Sequence, residues 1–243
     1  MTARFGWWAA IAACVASIGY GIPQVMQVLG LLPTPLDRIL IFAPSLVLAP
    51  CFVVAMAAVH VAAPVDKRMW SLSALGLAVM YAVMVSVVYI TQLSVVIPGE
   101  AAGRDVAAFA CCEQGRFLTG VDLLGYTLMS VSTLFAAPVY PARSAARIWL
   151  IANGVLAPAL VLQVAWPWLI AVGALWLVTF PAAMIAVALA FRKQTIIAPS
   201  TRAVSFARSG DRPCPVRRMA RPRRRKAERP SGQRYAGRFR WLR

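Results

Sequence analysis

Residues 148–191 read IWLIANGVLAPALVLQVAWPWLIAVGALWLVTFPAAMIAVALAF, a run of 44 residues without one charged side chain. A helix rises about 1.5 Å per residue and the hydrocarbon core of a bilayer is about 30 Å thick, so a single helix of this length would be roughly twice too long. The run must therefore turn back. Trp166, Pro167 and Trp168 indicate the place, because aromatic rings favour the headgroup level and proline lacks the N–H of a continuing helix. The run predicts two membrane spans joined by a hairpin.

The rest of the chain repeats this pattern of long uncharged runs. The 243 residues are 60% hydrophobic and only 14% charged, which is outside the usual balance of a soluble domain. An ionised group at the bilayer centre costs roughly 2.5–3.5 kcal/mol, so charges mark the ends of spans. The fold class predicted is all-α, an integral membrane bundle of six transmembrane helices. The spans are expected near residues 7–31, 39–62, 70–97, 117–138, 147–165 and 168–191 of a transmembrane domain 1–193.

The positive charges of the short loops predict the orientation, because Lys and Arg collect on the cytoplasmic side. With the N-terminus inside, the outer side receives only Arg38, Arg104 and Arg116. The cytoplasmic side then receives Arg4, Lys67, Arg68, Arg143, Arg147, Arg192 and Lys193. The prediction is a protein of the bacterial inner (plasma) membrane with both termini in the cytoplasm and the loop 98–116 outside.

The last segment, residues 194–243, has a different composition, with 15 Lys and Arg against 2 Asp and Glu. It is too polar to bury a core, so a disordered Arg/Pro-rich cytoplasmic tail is expected. Its cations suit anionic lipid headgroups of the adjacent bilayer. Two alternatives stay open: contact with nucleic acid, which is the less favoured partner, and a reading-frame slip, which would also produce the abrupt change near residue 195.

Polar side chains recur in the outer halves of the predicted spans. Tyr20, Gln24 and Gln27 share one helix face, Gln92 lies near the outer end of span three, and span four presents Asp122 and Tyr126 on one stripe. Asp122 is the only acid within a span, and it lies in the first turns of its helix, where the helix dipole favours an anion. The predicted binding residues are Gln24, Gln27, Gln92, Asp122 and Tyr126.

Two interpretations of these residues stay open. They can line an outward-facing vestibule of a small protein that transports or senses a small molecule. Alternatively, the chain is a structural or accessory membrane subunit, and its Gln, Ser, Thr and Tyr side chains only join helices, at roughly 0.6 kcal/mol per hydrogen bond.

The sequence contains no recognisable catalytic or metal-binding pattern, so we expect neither an enzyme, nor a metal site, nor a cofactor. His60, the only histidine, is expected near the inner end of span two, far from Asp122 near the outer end of span four. The five cysteines have no metal-ligand spacing. Cys111 and Cys112 are adjacent, and a bond between neighbours closes a strained ring, so their thiols are expected to pair with nothing in the chain.

Four segments resemble a bacterial family of small polytopic membrane proteins with no assigned function. They are VYITQLSVVIP at 88–98, VDLLGYTLMSVSTLFAAP at 121–138, ANGVLAPAL at 152–160 and ALWLVTFPAAMIA at 174–186. The resemblance covers about half of the chain and does not include the Arg-rich tail. It implies a six-helix membrane protein and supplies no catalytic residue, substrate or cofactor.

Overall fold

The computed structural model describes residues 2–207, and side chains within residues 2–193. The described part is all-helical and contains no strand. Its α-helices are α1 (Thr2–Val28), α2 (Leu36–Ala62), α3 (Arg68–Thr91), α4 (Ile97–Ala101), α5 (Phe117–Ala136), α6 (Ala145–Gly154), α7 (Ala157–Leu162), α8 (Ile170–Gly173) and α9 (Trp176–Ala207). Single 3₁₀ turns occur at Val65–Lys67, Ala107–Phe109, Ala137–Val139 and Pro167–Leu169.

Six of the described helical stretches are long and apolar enough to cross a membrane, which confirms the number predicted. Several of these stretches contain more than one helix, joined by short turns. They are Thr2–Val28, Leu36–Ala62, Val65–Ala101, Phe117–Val139, Ala145–Leu162 and Pro167–Lys193.

Prolines account for two interruptions of the helical pattern. The long uncharged run breaks between α7 and α8, and Pro167 opens the 3₁₀ turn there. The third stretch contains one π-helical segment, Gln92–Val96, just before Pro98. Because proline cannot donate a backbone hydrogen bond, the helix widens before continuing as α4. This widened turn carries Gln92, which contacts the connection between α4 and α5.

Small residues let the helices pack closely. α1 packs against α2, α2 against α3, α3 against α5, and α5 against both α6 and α7. Ala10 and Ala13 of α1 and Ala49 of α2 are completely buried. A methyl group added at Gly6 would lie only 2.8 Å from the Ala58 Cβ. Contacts of this kind are typical of helices that associate within a bilayer.

Large apolar side chains also cover the outside of the bundle. Val15, Val47, Val83 and Ile170 are each more than half exposed, and each lies on a different candidate span. A surface of this kind is costly in water and favourable against lipid, so it agrees with the membrane class.

The chain divides into two units, residues 1–203 and 204–243. Of the second unit, the structure describes only residues 204–207, which end α9. The tail predicted at 194–243 therefore begins within α9, and residues 208–243, with their expected lipid contacts, lie outside the described residues.

Candidate functional site

One end of the bundle is covered by the connection between α4 and α5, residues 102–116, which we call the loop end. Gln92 forms hydrogen bonds to the backbone of this connection. Its Nε2 donates to the Phe109 carbonyl at 2.9 Å, and its Oε1 accepts from the Cys111 N–H at 3.1 Å. Gln92 is only 3% exposed, so its amide uses both polar ends on the loop backbone.

Residues near the start of α5 also form hydrogen bonds to the backbone of this loop. The Thr119 hydroxyl accepts from the Cys112 N–H at 2.8 Å and donates to the Glu113 carbonyl at 2.7 Å. The Arg116 guanidinium donates to the Ala107 carbonyl at 3.0 Å. Gln92 and Thr119 thus orient the backbone N–H groups of two consecutive residues, Cys111 and Cys112.

The two cysteines are joined by a disulfide bond. The expectation that they pair with nothing in the chain is therefore wrong. Cys112 adopts a positive φ of 78°, which is uncommon for a residue with a side chain. Gln92 and Thr119 accept from the N–H groups of these two residues and so stabilise the backbone conformation in which the bond forms.

Asp122 lies next to this cysteine pair, one helical turn after Thr119. The Sγ atoms of Cys111 and Cys112 and a carboxylate oxygen of Asp122 all lie within 4.8 Å of one another. The Oδ1 atom of Asp122 is buried and accepts no hydrogen bond from any described residue. The ion pairs of the described residues join Arg38 to Glu100, Lys67 to Asp66 and Arg116 to Glu113, and none includes Asp122.

Two tyrosine hydroxyls, those of Tyr89 and Tyr126, lie near the carboxylate. The Tyr89 and Tyr126 hydroxyls are hydrogen-bonded at 2.7 Å, and the Tyr89 side chain also interacts with Asp122. Trp176 lies against this pair, with its ring centroid 5.0 Å from that of Tyr126 and 5.7 Å from that of Tyr20. The arrangement places one carboxylate beside both hydroxyls and aromatic rings.

Two further polar atoms of this region are buried without a partner. They are the Tyr81 hydroxyl and the Trp176 Nε1, and neither finds a hydrogen-bond acceptor among the described residues. The Tyr81 ring centroid lies 5.9 Å from that of Tyr126. We call Asp122, Cys111, Cys112, Tyr89 and Tyr126, with the adjoining Tyr81 and Trp176, the Asp122 cluster.

The structure brings three of the five predicted binding residues to this region. Asp122 and Tyr126 are within the cluster, and Gln92 holds its loop. Gln27 is engaged elsewhere, because its Nε2 donates to the Asp37 Oδ2 at 2.7 Å. Gln24 is half-buried and makes no hydrogen bond to any described side chain of the cluster.

Sequence reasoning missed the two cysteines, Tyr81 and Trp176 as members of the site. Trp176 begins α9, and only its packing against rings of α1 and α5 brings it to Tyr126. A signal for Tyr81 did exist, since it precedes Tyr89 by eight residues and so falls near the same face of α3. The cysteines offered only their proximity in sequence to Asp122.

His60 lies far from this cluster. Its Nδ1 is hydrogen-bonded to the Ser71 hydroxyl at 2.9 Å, near the junction of α2 and α3. Asp37, at the other end of α2, is separated from His60 by 23 residues, or roughly 35 Å of helix. The loop end lies on the Asp37 side, because Arg38 and Glu100 form an ion pair there.

No family model, no curated protein and no solved structure matches this chain. The resemblance to a bacterial membrane-protein family therefore stays an expectation. The geometry of the Asp122 cluster is the basis on which a function can be proposed.

Proposed function

We propose that this chain is a multi-pass protein of the bacterial inner membrane that binds a small cationic ligand at the loop end, for transport or for sensing. The observation that carries the proposal is the Oδ1 atom of Asp122, which is buried without a partner among the described residues. A buried carboxylate is costly unless a cation or several hydrogen bonds compensate it. A ligand that supplies this compensation would bind selectively there.

The surroundings of Asp122 support a cation as the ligand. Tyr89 and Tyr126 offer hydroxyl oxygens, which can accept from an ammonium group or complete the coordination of an ion. The rings of Tyr126 and Trp176 lie edge to face, with an interplanar angle of 87°, so their faces point in different directions. Aromatic faces next to a carboxylate are a favourable environment for cations.

The charge distribution supports access from outside the cell. If both termini are cytoplasmic, the loop end faces the outer side, and Asp122 lies within two turns of the start of α5. The proposal is non-enzymatic.

The test is a thermal-shift screen of the purified full chain against small organic and metal cations. Asp122→Asn removes the charge with little change of shape. Asp37→Asn is a matched control, because Asp37 is a buried acid at the loop end whose Oδ1 also has no partner among the described residues, but whose Oδ2 accepts from Gln27. We expect at least one cation to raise the Tm of the parent chain and of Asp37→Asn but not of Asp122→Asn. A ligand at about 100 times its Kd adds roughly 2.7 kcal/mol. Equal stabilisation of Asp122→Asn by every active cation would contradict the proposal.

A structural or accessory subunit is the second candidate, and a different set of contacts favours it. Asn153 is completely buried, donates to the Thr133 hydroxyl and accepts from the Thr179 hydroxyl, each at 3.1 Å. This network joins α5, α6 and α9, so some polar residues of the bundle serve packing alone. If Asp122→Asn left all ligand responses unchanged, the polar residues of the Asp122 cluster would also be assigned to helix packing.

A further inference from the structure

We propose that Cys111, Cys112 and Asp122 form a redox-controlled site for a thiophilic divalent metal ion of the Zn²⁺ and Cd²⁺ class. The inference rests on the proposed function, because it names the kind of cation that the Asp122 cluster takes. When the disulfide is open, two thiolates and one carboxylate are available to the ion. When it is closed, the two sulfurs are bonded to each other and the site offers the carboxylate alone.

The positions of the donor atoms support this site. Metal–sulfur bonds of about 2.3 Å and metal–oxygen bonds of about 2.1 Å place the donors of a tetrahedral ion roughly 3.6–3.8 Å apart. The three candidate donors already lie within 4.8 Å of one another. We therefore expect side-chain rotation after reduction to bring them around one ion without movement of a helix.

The chemical nature of the donors selects the metal. Thiolates favour Zn²⁺, Cd²⁺ and other soft or borderline ions, whereas Mg²⁺ and Ca²⁺ require oxygen ligands in larger number. Two thiolates and a carboxylate supply three ligands. A four-coordinate ion then keeps one open position for water or another ligand, as in zinc sites with three protein ligands.

Neighbouring residues bind the backbone or the side chain of each donor residue. Gln92 binds the backbone N–H of Cys111, and Thr119 binds that of Cys112. Tyr89 interacts with the carboxylate of Asp122 and is itself held by Tyr126. Supporting contacts of this kind orient metal ligands and increase their affinity. The buried Oδ1 of Asp122 has no hydrogen-bond partner among the described residues, which leaves it free for the ion.

The redox step requires an external reductant, which we identify as a dithiol. One dithiol transfers two electrons and two protons to the Cys111–Cys112 bond, so that the S–S bond breaks, two thiols form and the dithiol becomes a disulfide. A divalent ion then displaces the two thiol protons and binds the thiolates. Cys112 is an exposed residue and Cys111 a half-buried one, so the pair lies at the protein surface, where a soluble dithiol can approach it.

The test uses the purified full chain in which Cys14, Cys51 and Cys214 are replaced by serine, so that only the loop cysteines remain. Cd²⁺ is titrated into the dithiol-reduced and the oxidised protein, and binding is followed by thiolate-to-metal charge-transfer absorbance and by proton release. We expect one ion per reduced chain, with two protons released, and no charge-transfer band for the oxidised chain. The absence of stoichiometric binding to the reduced chain would overturn the inference.

Variants separate the three donors. Replacing both cysteines with serine should abolish the charge-transfer absorbance. Asp122→Asn should weaken the binding of Cd²⁺ to the reduced chain by at least about tenfold, whereas Asp105→Asn, in the same loop, should leave this affinity unchanged. Equal weakening by Asp105→Asn would indicate a general effect of loop charge and would overturn the assignment. If the double serine variant fails to fold, methylthiolation of the reduced chain blocks the same sulfurs and must remove binding.

The outcome distinguishes this inference from the proposed function. If the double serine variant still responds to organic cations in an Asp122-dependent manner, and the reduced chain does not bind Cd²⁺, the metal inference fails and the cation site stands. If neither organic cations nor Cd²⁺ bind in an Asp122-dependent manner, both fail.

Discussion

At the scale of single residues, the environment of Asp122 depends on two polar side chains that contact the loop and not the acid. Gln92 and Thr119 bind the consecutive N–H groups of Cys111 and Cys112, and both cysteine sulfurs then lie near the carboxylate. Neither side chain needs to contact a ligand for this effect. Gln92, which was predicted as a binding residue, uses both ends of its amide on the loop backbone.

Gln92→Leu tests this role. Leucine has a similar volume but leaves the Phe109 carbonyl and the Cys111 N–H without their partner, so we expect a loss of about 1–3 kcal/mol in the free energy of unfolding. Thermal unfolding measures the loss, and alkylation of the reduced loop thiols should become faster. Ser94→Ala is the control on the same π-helical segment, because the exposed Ser94 bonds only its own helix at the Ile90 carbonyl. A change of more than about 0.5 kcal/mol in the control would show that the segment itself is sensitive.

At the scale of the helices, close approach through small residues decides which faces meet. A methyl group added at Gly154 would lie 2.7 Å from the Leu134 Cβ and 3.0 Å from the Ser130 carbonyl oxygen. These atoms belong to the backbone and first side-chain carbon of α5, which cannot move without moving the helix. The contact between α6 and α5 in turn positions Asn153 against Thr133, so packing and hydrogen bonding depend on the same glycine.

Substitution by alanine at two glycines separates packing from helix propensity. Gly154→Ala should lower the free energy of unfolding by about 1–3 kcal/mol through overpacking. Gly76→Ala should raise it by roughly 0.5–1 kcal/mol, because this residue lies inside α3 and its added methyl would meet no described atom within 4 Å. Thermal unfolding in one detergent compares the two variants. Equal effects at both positions would contradict the close contact between α5 and α6.

At the scale of the whole molecule, the apolar exterior and the distribution of loop charges together support a membrane orientation. The candidate spans are even in number, so the two ends of the transmembrane domain 1–193 are expected on the same side. With both termini placed in the cytoplasm, as proposed, seven of the ten Lys and Arg residues of this domain would be cytoplasmic, in agreement with the charge rule. The Asp122 cluster would lie at the opposite, outer end.

Reporter fusions test the orientation directly. A reporter that is active only in the cytoplasm should be active when fused after Lys193, and one that is active only outside should be active when inserted into the loop after Gly103. Gly103 has a positive φ of 67° and open space around it, so the insertion should disturb the helices little. Activity of the outside reporter after Lys193 would overturn the predicted orientation.

Much of the fold depends on features that are local in the sequence. Charge-free length predicted six helices, and Trp166 to Trp168 predicted the break in the last uncharged run, because both depend only on hydrophobicity and on the missing N–H of proline. Asp122 and Tyr126 were predicted together because they are one turn apart on the same helix. For Gln24 and Gln27 of α1, helix periodicity predicted a shared face without saying which residues that face meets.

The amino-acid sequence by itself determined the helical class, the number of apolar helices and the position of Asp122 near the start of one of them, because hydrophobic length and charge act segment by segment. Only the tertiary structure decided which groups surround that acid. Gln27 turns to Asp37, whereas Cys111, Cys112, Tyr81 and Trp176 reach the site from a loop and from two other helices. The physical reason is that the rotation of each helix and the course of the loop are set by contacts between small residues and by hydrogen bonds to backbone groups, which no local pattern of the chain records.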